Sequence, residues 1–170
     1  MTLPAGWVVI PVAGQDINAL LGLLGQAQPQ VAELIRQYLA ISGASVSTVA
    51  ADPRGALTGL PPSAIVLLQP TLGFSLDLAG GVVATAISQV PGVGAVERQK
   101  VALPAGEAIR LSYEVAATAA PGQPPINARL IQYLFVRGNQ GYLLTFTTLS
   151  NQVDRDLPVF DAIAGSMTFP

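Results

Sequence analysis

Ile109-Arg110-Leu111-Ser112-Tyr113-Glu114-Val115 sets apolar against polar at every step. A period of two puts Ile109, Leu111, Tyr113 and Val115 on one face of a strand and leaves Arg110, Ser112 and Glu114 on the other, wetted face. Downstream, Leu130 to Val136 is apolar on both faces apart from Gln132, and Tyr142 to Leu149 is nearly so. Such stretches suit central strands covered from both sides. Leu103-Pro104-Ala105-Gly106 and Gly138-Asn139-Gln140-Gly141 are tight-turn signals, whereas Ala119 to Pro125 reads as a longer loop. The region from Ala95 to Leu149 is therefore expected to be an antiparallel meander of four strands.

Upstream, Trp7-Val8-Val9-Ile10 between Pro4 and Pro11 reads as a short strand. Ile17, Leu20, Leu21 and Leu24 then recur at helical spacing after Asp16, a capping candidate, and Gly25 ends the run. Val31, Leu34, Ile35, Tyr38 and Leu39 repeat the pattern after Pro29, while Gln30, Glu33, Arg36 and Gln37 face away. Ser45 to Ala50 and Ala64 to Gln69 read as a pair of strands around the Gly- and Pro-containing stretch Asp52 to Pro62. Ser75 is placed to cap a helix with Leu78, Val82, Val83, Ala86, Ile87 and Val90 as its apolar residues, although Gly80-Gly81 costs that helix roughly 2 kcal/mol relative to alanines. A last helix carries Phe160, Ile163, Ala164 and Met167 on one face, with Asp154 and Asp156 at the favourable end of its dipole. The expectation is one domain, residues 1–170, with Leu34, Ile35, Leu111, Leu134, Phe146, Phe160 and Ile163 in its core.

Read in order, the elements run strand, helices, two strands, helix, four strands, helix. Together with Leu3-Pro4-Ala5-Gly6-Trp7, Leu103 to Ala108, Gln132-Tyr133-Leu134-Phe135, Gly141 to Thr147 and the ending Pro158-Val159-Phe160 through Ser166-Met167-Thr168-Phe169, this order resembles the PsbP-like (Mog/PsbP-like) fold family over nearly the whole chain. That family includes an extrinsic photosystem subunit, a nuclear-import factor and many bacterial lipoproteins. The resemblance implies a bacterial α+β protein, an antiparallel sheet sandwiched between helices, in a non-catalytic binding or assembly role. Neither a basic Ran-binding surface nor a photosystem-docking motif has a counterpart in this sequence.

Apolar residues make up 51% of the 170 and charged residues 11%, against roughly 25% charged in an average soluble protein. A net charge of −2 supplies no field to gather phosphate backbones, so nucleic acid is not an expected partner. Histidine and cysteine are both absent, which excludes Ser-His-Asp and Cys-His catalysis, imidazole or thiolate metal sites and disulfides. Lys100, the lone lysine, lies among Glu97, Arg98 and Gln99 on what reads as a solvated strand face. Glu107, Glu114, Asp154, Asp156 and Asp161 are available for paired-carboxylate chemistry, but salt bridges and helix-end charges explain them more simply. Asp154-Arg155-Asp156 lacks the ligand series of a calcium loop. Gly92-Val93-Gly94 follows a helix and opens a strand, the reverse of a phosphate-binding loop. Arg110, Arg129 and Arg137 either converge on an anion or pair with Glu107 and Glu114 across the sheet, and Trp7, Phe74, Tyr113, Tyr133 and Tyr142 either fill the core or line a pocket.

The expected function is accordingly a non-enzymatic binding or assembly-support domain without cofactor, metal or catalytic residues. Its partner is another protein or a second copy, most simply in a twofold dimer. A carrier of a small apolar ligand between sheet and helices is the alternative, and a carboxylate-dependent hydrolase a third reading. Apolar surplus in so small a chain predicts an exposed patch, with Leu23, Leu57 and Leu60 as its candidates. No run approaches the ~18 apolar residues that span a bilayer. The expected chain is soluble, extracytoplasmic if a leader has been trimmed and otherwise cytoplasmic.

Overall fold

A computed structural model describes residues 1–10, 45–52, 62–117 and 126–170. Among these residues seven strands form one antiparallel sheet: β1 (Val8–Ile10), β2 (Ser45–Ala51), β3 (Ser63–Pro70), β4 (Glu97–Leu103), β5 (Gly106–Ala117), β6 (Ile126–Arg137) and β7 (Gln140–Leu149). Their spatial order is β1-β2-β3-β7-β6-β5-β4. The expected meander β4 to β7 is present, and its tight turns fall at Pro104-Ala105 and Gly138-Asn139, where Leu103 pairs with Gly106 and Arg137 with Gln140. β7 then inserts beside β3, with Ala64 opposite Phe146, so the two halves of the chain meet at the centre of the sheet.

Among the described residues two helices are seen, α1 (Leu76–Ser88) and α2 (Val153–Gly165), the second entered through a short turn at Ser150–Gln152. They lie on opposite faces. Along β6, Leu130 and Leu134 pack with Val83 and Ile87 of α1, while Ile131, Tyr133 and Phe135 pack with Phe160, Ile163 and Ala164 of α2. The architecture is thus the α+β arrangement of an antiparallel sheet between helices. Leu111, Leu134, Phe146, Phe160 and Ile163 are buried as expected, and the Phe146 and Phe160 rings stack at 4.4 Å. The two helices expected over Ile17–Leu24 and Val31–Leu39, with core residues Leu34 and Ile35, and the loop Ala119–Pro125 lie outside the described residues.

Two expectations are corrected. Of the apolar residues expected along α1, Val83 and Ile87 are buried, together with Ala79 and Gly80, whereas Leu78 and Val82 are exposed and the helix stops before Val90. The reason is steric: a Cβ on Gly80 would lie 2.8 Å from Cγ1 and 3.0 Å from Cγ2 of Ile109, so the helix approaches β5 along its smallest residues. Secondly, the Arg110 face of β5 is not simply wet. Ala108 is buried beneath α2, Arg110 and Ser112 are half-buried, and Glu114 and Ala116 are exposed.

Candidate functional site

The polar groups of the α2 face are mutually engaged. Tyr133, fully buried on β6, donates its hydroxyl to Asp161 Oδ1 at 2.6 Å, and Arg110 reaches the same oxygen at 3.5 Å while donating to Gln99 at 2.6 Å. Burial first, and the Asp161 carboxylate second, push the Tyr133 phenol well above the ordinary tyrosine range. Asp156, in the first turn of α2, accepts from Thr148 Oγ1 at 2.5 Å and from Arg155 Nε at 2.7 Å. These contacts tie α2 to the sheet. They leave Tyr133 a poor proton donor and Asp161 already occupied, the opposite of a reactive acid–base pair.

The remaining candidates are dispersed. Lys100 pairs with Glu107 at 3.1 Å along the exposed edge strand. Arg129 holds Glu97 at 2.9 Å and Glu114 at 3.8 Å and donates to Ser112 at 2.8 Å. Arg137 donates to the Ala105 carbonyl at 2.6 Å and lies over the Phe169 ring at 4.6 Å. Of the cross-strand pairs expected for the three arginines, only Arg129 with Glu114 forms. Arg110 turns instead to α2, and Arg137 to a turn and a ring. Arg129 and Arg137 are eight residues apart on one strand, about 26 Å at the usual rise, so the three cannot gather around one anion. Asp154 is exposed, Asp156 is spent on Thr148 and Arg155, and among the described residues no cluster of three acids is placed to hold a metal. Gly92-Val93-Gly94 is a turn that bridges Val93 to Val115.

On the α1 face a polar row crosses the central strands: Ser63, Thr147, Thr145 and Gln132 are all buried. Gln132 Nε2 donates to Thr145 Oγ1 at 3.1 Å, while its Oε1 has no partner. The sequence marks this row only as Gln132 interrupting an apolar run. Tyr113 and Tyr133 are core residues, Trp7 and Tyr142 pack half-buried at the edge of the α2 layer, and Phe74 is exposed.

Among the described residues the apolar surplus surfaces on β1, where Val8 is 55% and Val9 52% exposed, and around α1. Leu72 is 81% exposed, Leu78 52%, Val82 51% and Phe74 37%. Leu78 and Val82 lie one turn apart on the outer side of α1, away from its buried residues, and Phe74 precedes the N-cap residue Ser75. α1 carries one charged residue, Asp77, and Arg98 neutralises it at 2.8 Å. Leu23, Leu57 and Leu60 lie outside the described residues, so the patch that the structure shows is elsewhere.

No protein-family model matches the chain, and no curated protein matches it. Similar solved structures do exist. LpqN of Mycobacterium tuberculosis, described as involved in cell envelope biogenesis, aligns with 95% of this chain and 77% of its own at 11% identity and a TM-score of 0.54. Cyanobacterial PsbP from Synechocystis aligns over 96% and 81% at 15% identity and a TM-score of 0.44. PA94 of Pseudomonas aeruginosa, a protein of unknown function, aligns over 65% and 74% at 16% identity and a TM-score of 0.49. The likeness to LpqN shows a shared fold. The observed sheet and helices agree with the PsbP-like arrangement expected from the sequence.

Proposed function

We propose that the chain is a single, non-enzymatic domain that works by binding another body or supporting an assembly. The observation that carries this reading is the apolar ridge Leu72, Phe74, Leu78 and Val82, exposed beside a helix whose opposite face already fills the core. Exposed apolar side chains that are contiguous and uncharged mark interaction surfaces more often than accidents of composition. The engaged, dispersed acids described above support the absence of carboxylate catalysis. No helix of the described residues is long and apolar enough to cross a membrane.

The carrier reading is favoured by one observation, the unpartnered Gln132 Oε1 within the buried row Ser63, Thr147, Thr145 and Gln132. A buried acceptor without a donor costs about 1–3 kcal/mol, which a bound molecule carrying a donor would recover. Native mass spectrometry of the purified chain separates the two. A clean protein mass is expected for the binding domain, and a stoichiometric co-purified small molecule would replace that reading with the carrier.

A further inference from the structure

We draw no further inference here: the strongest candidate, the exposed apolar ridge of Leu72, Phe74, Leu78 and Val82 around α1, belongs to the surface already described, and nothing in the structure shows what covers it.

Discussion

Replacing Gly80 and Gly81 by alanine, one at a time, should move stability in opposite directions. Both lie inside α1, where alanine is favoured over glycine by about 1 kcal/mol. At Gly81 a new Cβ meets nothing within 4 Å, so the full gain should appear. At Gly80 the Cβ would fall 2.8 Å from Cγ1, 3.0 Å from Cγ2 and 3.2 Å from Cβ of Ile109, a residue 1% exposed with little room to yield. Overpacking of that kind costs about 1–3 kcal/mol, which cancels or outweighs the helical gain. The two variants should therefore differ by about 1–3 kcal/mol, or several degrees in melting temperature for a chain of this length. Urea unfolding at constant m reads the difference directly. Ile109→Ala removes both γ carbons, so in that background the Gly80→Ala penalty should largely vanish, a coupling that a double-mutant cycle isolates. Equal stabilisation by both alanines, within about 0.5 kcal/mol, would refute the seating of α1 on β5.

Leu134→Ala, at a fully buried site between β5 and β7, should cost about 2–5 kcal/mol; a loss below roughly 0.5 kcal/mol in urea unfolding would mean that β6 is misplaced. Tyr133 predicts an alkaline limit. Its folded-state pKa is raised by burial and by Asp161, so the native state favours the protonated phenol. The associated stability is complete below the unfolded tyrosine value of about 10 and declines as pH rises past it. Tyr133→Phe should lower stability near neutral pH by about 1 kcal/mol through the lost hydrogen bond and flatten the decline above pH 10. An unchanged alkaline slope in that variant would show that Tyr133 does not titrate as described.

What the sequence made legible follows from the range of each interaction. Period-two alternation at Ile109–Val115 and the glycine turns at Gly106 and Gly138 are local, and they place β4 to β7 correctly. Burial of a strand residue is also legible from local pattern, so Leu111, Leu134 and Phe146 read as core residues from the sequence alone. Partner choice is not. Arg110 stands opposite Tyr133 in the sheet, but its carboxylate partner, Asp161, comes from a helix 51 residues away. The phase of α1 is hidden for the same reason. Hydrophobicity alone favours Leu78 and Val82 for the core, and only the close approach at Ile109 makes Gly80 the better neighbour. No local pattern tells that Leu72 takes a left-handed conformation beside Gly73.

The two helices divide the chain's scarce charge unequally, and the division bears on the binding surface. α2 carries four charged residues, of which Asp156 and Asp161 face the sheet while Asp154 and Arg155 are exposed and hydrate its outer side. α1 has the same 13-residue length but only Asp77, and its exposed positions include Leu78 and Val82, whereas those of α2 are Asp154, Arg155, Pro158 and Ala162. Composition applies to the whole chain and cannot produce such a contrast between two helices on one sheet. Nor does folding call for it, because Ala79, Gly80, Val83 and Ile87 already satisfy the core. A side of a helix that is apolar without a packing reason is one that meets something less polar than water. If the contrast is functional, Leu78→Lys with Val82→Glu should leave the fold intact, the new pair lying at helical i, i+4 spacing, and should remove only what the ridge binds.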